Sequence, residues 1–220
     1  MYTFDIVEKF FLGSLYMKLA DDNVTGQLIV DDVYRKEWIA LVRALQEASE
    51  IEGGPLEGWV FHGTDESAAA LIAVEGLCPS AAILHDGDGW IDDEAVHFGS
   101  ANVAAFFAED LIESTENPRL RLVLLGARLE DIARCGSLGT DGQMIDCPLY
   151  SRLRKSESEV ARKLEEGMPI SWQECFDVLE TVTVQGIVPP QYLHTFRSVK
   201  DLDVLIERDS KCERIRAHRM

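Results

Sequence analysis

The spacing of apolar residues changes near residue 55 and divides the chain into two regions. From Val33 to Leu45, apolar side chains recur at i, i+3, i+4 and i+7 after the capping candidates Asp31 and Asp32, a pattern that predicts a helix. Residues 4–19 are a second apolar-rich segment and are also predicted to be helical. A Gly-Gly-Pro sequence then ends this region. We therefore predict that residues 1–55 form a helical N-terminal segment.

From Trp59 onward, short apolar runs alternate with helical patterns. The run LRLVLLGARL at 120–129 is nearly continuously apolar, which predicts a strand buried on both faces. The alternation predicts an α+β domain at 56–208 and a polar tail at 209–220. Its predicted elements are strands at 59–61, 95–98, 120–129 and 181–184, helices at 156–166 and 172–179 with Ser171 as a cap, a loop at 131–143, and a last strand or helix at 198–206.

Two of the predicted strands end in a histidine. The first delivers His62, Gly63 and Thr64, and the second, Ala95-Val96-His97-Phe98, ends in Gly99-Ser100. Each strand is followed by a small-residue turn and a helical pattern. Side chains at strand ends are well placed for binding or catalysis because loops and element ends meet solvent.

Charge and cysteine usage narrow the classes of partner. The formal net charge is −18, whereas nucleic-acid binders usually carry a basic stripe that neutralises phosphates. The five cysteines are widely spaced and form no C-x-x-C pair, so we predict reduced thiols in a cytoplasmic protein.

No apolar run approaches the roughly 18 residues of a membrane span. The N-terminal sequence lacks the basic region of a signal peptide. We expect no membrane partner.

Several catalytic or metal sites are not supported by the residue spacing. His62, His85 and His97 have aspartates at 86, 88, 92 and 93 nearby, yet no pair has the i, i+4 spacing of helical ligands. We therefore predict no metal site. A G-x-S-x-G sequence, a P-loop and a dinucleotide fingerprint are absent. No partner for a cysteine nucleophile can be identified.

The remaining constellation is His62, His97 and Glu180, each at the edge of a predicted strand. Here the chain resembles the ADP-ribosyltransferase fold, in its diphtheria-toxin and poly(ADP-ribose) polymerase branch. The resemblance covers residues 59 to about 195. Five short motifs carry it, in the order of that family: Phe61-His62-Gly63-Thr64, Glu75-Gly76-Leu77, Val96-His97-Phe98-Gly99-Ser100, Ala104-Ala105-Phe106-Phe107 and Glu180-Thr181-Val182-Thr183-Val184.

The resemblance implies a split, two-sheet β core around a site for NAD, which is a substrate in such enzymes. It implies that His62 bonds a ribose hydroxyl and that the main chain of Gly63 pairs with the nicotinamide carboxamide. Glu180 would stabilise the positive charge that develops as nicotinamide leaves. The predicted catalytic residues are thus His62, His97 and Glu180. The predicted cofactor-binding residues are His62, Gly63, Thr64, Phe98, Ser100 and Phe107, with Phe106 or Phe107 stacking on nicotinamide.

The expected activity is transfer of ADP-ribose from NAD to a macromolecular acceptor, with release of nicotinamide. The acidic composition favours a protein acceptor over nucleic acid. Stand-alone members of the family are often toxins or effectors, and the resemblance implies such a role, including delivery into another cell without a signal peptide.

Two departures from the family keep other functions open. Most members with a catalytic glutamate have tyrosine where this chain has His97, and histidine occurs there in the NAD-dependent RNA 2′-phosphotransferase branch. The acidic residues Asp92, Asp93 and Glu94 precede this strand and would repel a 2′-phosphate, so that activity is the alternative. The spacing to Pro189-Pro190 leaves a shift in the alignment with the family open. In a shifted alignment Gln185, rather than Glu180, would be the third site position. A catalytically inactive binding module is the remaining alternative.

Overall fold

A computed structural model describes residue 26 and residues 28–79, 95–140 and 159–217. Its helices are α1 (Asp32–Glu50), α2 (Glu66–Glu75), α3 (Ala101–Ser114), α4 (Leu129–Ile132), α5 (Glu159–Glu165), α6 (Trp172–Leu179) and α7 (Val199–Ala217), with a 3₁₀ turn at Pro190–Tyr192. The strands are β1 (Trp59–Asp65), β2 (Val96–Gly99), β3 (Leu122–Arg128), β4 (Ser137–Gly139), β5 (Thr181–Gln185) and β6 (His194–Phe196).

Helix α1 begins where the sequence predicts. The side chain of Asp31 accepts hydrogen bonds from the main-chain N–H groups of Val33 and Tyr34, which caps the helix. Trp38, Leu41 and Leu45 on one face of α1 are buried. The second predicted helix, at 4–19, lies outside the described residues.

The described strands form one antiparallel sheet in the order β4-β5-β2-β1-β3-β6. The predicted α+β class is confirmed, but the predicted division into two sheets is not found among the described strands. The pairing of strands at the centre of the sheet is nonetheless short. Strand β1 pairs with β3 along its whole length, from Trp59↔Arg128 to Asp65↔Leu122, whereas β1 pairs with β2 only at Phe61↔Gly99.

Helices cover both faces of this sheet. On one face, α1 and α3 pack with Phe61, Leu124 and Phe196 in a buried apolar cluster that also receives Leu202 from α7. Residues from the predicted N-terminal segment therefore share a core with the predicted α+β domain. On the other face, a second buried cluster contains Val60, Val96, Phe98, Ala127, Ile132, Val182, Val184 and Val188.

Most of the predicted elements are present, and the corrections concern short or terminal ones. Ser171 caps α6 in a reciprocal capping box with Glu174. The predicted loop at 131–143 instead includes the end of α4 and the short strand β4. The last element is a helix, and it continues to Ala217, so part of the predicted polar tail is helical.

Tyr34 ties α1 to the sheet by completing the edge of β3. The pairs Leu124↔Phe196 and Gly126↔His194 show that even-numbered residues of β3 face β6, which ends before it reaches Leu122. There the Tyr34 hydroxyl accepts from the Leu122 N–H at 2.6 Å and lies 3.2 Å from the Leu122 carbonyl, to which it donates. One side chain thus satisfies two main-chain groups.

We expect Tyr34→Phe to lower the free energy of unfolding by about 1–3 kcal/mol, because both groups of Leu122 lose their partner. The Arg121 guanidinium lies 4.1 Å from the Tyr34 ring centroid, and a phenylalanine ring preserves that contact. Urea denaturation measures the change. Tyr192→Phe is the control, and an equal loss in both variants would contradict this role of the Tyr34 hydroxyl.

Candidate functional site at the β1–β2 junction

The ladder between β1 and β2 stops just before the predicted histidine of β1. The Gly58 carbonyl accepts from the Leu129 N–H at 2.8 Å, and the Glu66 N–H donates to the Arg121 carbonyl at 2.9 Å. Even-numbered residues of β1 therefore bond toward β3, and odd-numbered residues turn their main-chain groups toward β2. After Phe61↔Gly99, the next pair would be Gly63↔His97, and no such pair forms. We call the opening between these two residues the junction gap.

The imidazole of His62 contacts β2 across the junction gap. Its Nδ1 lies 2.9 Å from the main-chain oxygen of His97. A carbonyl can only accept, so Nδ1 carries the proton and Nε2 keeps a lone pair. Burial lowers the pKa of His62 from its ordinary value, and this effect outweighs the opposing effect of the His97 carbonyl. The ring is thus a neutral acceptor at pH 7.

Gly63 is required by the packing of α3 against β1. A Cβ at this position would lie 1.9 Å from the Ala104 carbonyl oxygen and 2.8 Å from the Ala108 Cβ. The resemblance implies that a ligand approaches the main chain of Gly63, which a residue without a Cβ allows. Packing against α3 is a second reason for glycine at this position. Its N–H and C=O nevertheless turn toward the junction gap. Thr64, the next predicted site residue, is buried.

On β2, His97 and Phe98 leave the strand on opposite sides because side chains alternate. Phe98 is 2% exposed and packs in the second apolar cluster, with its ring 6.1 Å from that of His62. Phe98 therefore contributes to the core, and its cofactor role stays a prediction. The ring nitrogens of His97 are shielded from solvent, and its register partner is Thr183. The His97 carbonyl, rather than its ring, joins it to His62.

Glu180 sits at the end of the neighbouring strand and does not enter the core. It is exposed, it terminates α6, and its backbone is left-handed, with φ 56° and ψ 29°. Its carbonyl accepts from the Ser100 N–H at 2.9 Å, and its carboxylate accepts from the Ser100 hydroxyl. A left-handed conformation is unfavourable for residues other than glycine or asparagine. Such residues often occur at functional sites.

Ser100 serves both Glu180 and the adjoining helix. Its hydroxyl oxygen also accepts from the Val103 N–H at 3.4 Å, which confirms it as the N-cap of α3. Its contacts with Glu180 and Val103 orient the carboxylate and cap the helix, and its cofactor-binding role stays a prediction.

Phe106 and Phe107 are both partly buried, and their rings meet edge to face at 5.4 Å. Ala104 faces β1, and each helical residue turns the direction by about 100°. Phe107 therefore lies about 60° from Ala104 and Phe106 about 160° from it. Phe107 remains beside β1, and Phe106 faces away.

The described residues contain no group of three or more histidine, cysteine or acidic side chains arranged to hold a metal. The third histidine of the metal hypothesis, His85, and the neighbouring aspartates lie outside the described residues. No helix in the described part of the chain is long and apolar enough to cross a membrane.

The sequence singled out His62, Gly63 and Glu180 as candidates but did not predict the contacts that His62 and Glu180 make. The His62–His97 carbonyl contact and the Ser100–Glu180 contact both join residues that are distant in sequence. Searches of protein-family models, curated proteins and solved structures found no match to this chain. The site is therefore interpreted from its own geometry.

Proposed function

We propose that this protein transfers ADP-ribose from NAD to a macromolecular acceptor and releases nicotinamide. The observation that carries the proposal is the junction gap: an interrupted strand ladder bordered by a neutral histidine and by glycine main-chain groups. The Glu180 carboxylate lies at the start of β5 beside Ser100, three residues along β2 from His97. The motif order in the sequence suggested this chemistry, and the geometry is compatible with it.

In this proposal His62 and Gly63 position the substrate. The Nε2 lone pair of His62 accepts a hydrogen bond from a ribose hydroxyl, since the ring is neutral and its Nδ1–H is committed to the His97 carbonyl. The Gly63 N–H and C=O can pair with a primary carboxamide, which offers one acceptor and two donors. Phe107 would stack on the flat nicotinamide ring.

Glu180 supplies the charge for the reaction. The bond between C1 of the ribose and the nicotinamide nitrogen breaks, nicotinamide leaves with the bonding pair, and the ribose carries positive charge in the transition state. A carboxylate in fixed orientation stabilises that charge, and the Ser100 hydroxyl holds one oxygen of Glu180. The acceptor nucleophile then forms the new bond at C1 and loses its proton.

A protein is the acceptor we favour, because the chain carries a net charge of −18 and would repel a polyanion. The RNA 2′-phosphotransferase alternative needs cations around a phosphate. Strands β1, β2 and β5 contain no arginine or lysine among the residues WVFHGTD, VHFG and TVTVQ. Nothing in the junction gap therefore favours the alternative.

The test is incubation of the protein with labelled NAD and cell lysate, followed by separate digestion with protease and nuclease. We expect label on protease-sensitive material with the wild type and at least a tenfold lower rate with His62→Ala, because the ribose loses its acceptor. The transfer rate of the wild type should begin to fall only at a pH below the ordinary pKa of histidine, since burial lowers the pKa of His62.

His194→Ala is the matched control for His62→Ala, because His194 lies on the edge strand β6, three strands from β2. It should transfer label at nearly the wild-type rate once folding is verified by circular dichroism. Absence of label transfer and of NAD cleavage in the wild type would overturn the proposed function, and so would equal rates for His62→Ala and the wild type.

A further inference from the structure

A buried carboxylate joins α3 to the residues that precede α1. Glu109 of α3 is 8% exposed. One oxygen accepts from the Trp38 indole Nε1–H at 2.7 Å, and the other accepts from the Gly26 main-chain N–H at 2.7 Å. Within the described residues no lysine, arginine or histidine forms an ion pair with it.

Gly26 and residues 28–31 form what we call the lead-in segment. The segment turns at Gly26, whose φ of +84° favours glycine, and the Ile29 N–H donates to the Gly26 carbonyl at 3.1 Å. Ile29 is buried in the same apolar cluster as Trp38, while Leu28 and Val30 are exposed. Among the described residues, the lead-in segment is attached by the Ile29 side chain, by the Glu109 carboxylate and by the ion pair between Asp31 and Arg121 at 3.6 Å.

The surroundings of Glu109 do not compensate a negative charge. On α1, Tyr34 interacts electrostatically with Glu109, and its hydroxyl is bonded to Leu122. Arg35 of α1 packs on Gly26, where a Cβ would lie 2.9 Å from its Cγ, but its guanidinium pairs with Asp32. Arg121 lies on the Tyr34 ring, and Glu66 adds further negative charge near it. On α3 itself, Asp110 and Glu113 are acidic and exposed. Among the described residues, an ionised Glu109 is therefore stabilised directly by two N–H donors, which is less than a buried charge needs.

We propose that Glu109 is a proton-dependent latch, which holds the lead-in segment against α3 when protonated and releases it when ionised. Opening of the turn at Gly26 admits water to the carboxylate and removes the cost of burying its charge. The closed form therefore binds the proton more tightly than the open form. The latch involves residues of α1, α3 and the lead-in segment, and it does not depend on the proposed transferase activity.

The direction of the pH dependence follows from this difference. Burial raises the pKa of Glu109 from 4.5 to about 7 in the closed form, despite the opposing bonds from Trp38 and Gly26. Below the ordinary pKa both forms are protonated, and closure is fully favoured. As pH rises toward 7 the open form loses its proton first, so closure weakens by at least about tenfold across this window.

Hydrogen exchange on the full chain tests the latch. Amide exchange is measured at pH 5.0, 6.5 and 8.0, with correction for the intrinsic rates, because protection reports the population of open forms. We expect protection across residues 26–40 to fall at least tenfold between pH 5.0 and 8.0, while protection in β3 stays constant. Glu109→Gln should remove this pH dependence, because glutamine cannot ionise.

Glu113→Gln is the matched control, since Glu113 lies one turn further along α3 and is exposed. It should keep the pH dependence of the wild type. Constant protection at residues 26–40 in the wild type would overturn the latch, and so would an unchanged pH dependence in Glu109→Gln. If that variant does not fold, the comparison of residues 26–40 with β3 in the wild type decides the question.

Discussion

Replacing Glu180 by glutamine is expected to lower the rate of ADP-ribose transfer at least about 100-fold without unfolding the protein. Loss of a single preorganised group that stabilises transition-state charge commonly has an effect of this size. Glutamine keeps the shape of the side chain and can still accept from the Ser100 hydroxyl, but it lacks the negative charge. The measurement is the initial rate with labelled NAD at saturating substrate, so that the change appears in kcat.

Gln185→Ala is the comparison that identifies the third site position. Gln185 is also exposed on β5, but it lies at the opposite end of the strand, about 16 Å from Glu180 at 3.3 Å per residue. It pairs with Ser137 of β4, whereas Glu180 adjoins Ser100 at the end of β2. We expect Gln185→Ala to retain the wild-type rate. A large loss in Gln185→Ala with no loss in Glu180→Gln would show that the assignment is wrong.

Glu180→Gly separates catalysis from stability at the same position. Glycine relieves the left-handed backbone conformation but removes the hydrogen bond with Ser100, and each effect is about 1 kcal/mol. The free energy of unfolding should therefore change by less than about 1 kcal/mol, while transfer is lost. A carboxylate with only a structural role would give the reverse: altered stability with unaltered transfer.

Much of the fold could be predicted because the signals are local. Asp31, Ser100 and Ser171 each precede a helical pattern, and each caps the helix that follows it. The apolar run in β3 predicted a strand buried on both faces, and Leu122 to Ala127 are all buried. These assignments depend on periodicity over a few residues, which the sequence displays directly.

The junction gap could not be predicted because it depends on long-range pairing. Whether β1 and β2 pair at one position or at several is decided by twist and by the helices packed on each side. Strand β4 is three residues long and has no apolar run of its own, so its pairing with β5 alone defines it. Local patterns do not carry this information.

The same distinction between local patterns and long-range structure applies to the site residues. A motif placed His97 and Phe98 together, although alternation along a strand allows only one of them to face a given side. The two residues could not be distinguished from the sequence, because both side chains carry aromatic rings and both lie in the same short run. The backbone of Glu180 was also unforeseen, since a helix that ends in a left-handed residue usually has glycine or asparagine there.

Gly63→Ala is expected to destabilise the protein by about 3 kcal/mol or more, the upper range for an overpacked core position. The added methyl would overlap the main-chain oxygen of Ala104 at 1.9 Å, and a helix backbone cannot rotate out of the way as a side chain can. Helix α3 would have to shift, and its contact with Phe61 and its start at Ser100 would shift with it. Urea denaturation measures the loss.

Gly139→Ala is the control, because among the described residues a Cβ there would meet the Thr183 hydroxyl, at 2.8 Å, and no main-chain atom. That hydroxyl can rotate at the expense of its hydrogen bond to the Thr140 carbonyl. We expect it to cost less than about 1 kcal/mol. The comparison also decides why Gly63 is a glycine. If ligand approach alone required it, Gly63→Ala would fold with normal stability and lose only NAD binding. A large loss of stability in the absence of NAD would instead show that α3 packing requires it, so that one residue meets the helix on one side and the junction gap on the other.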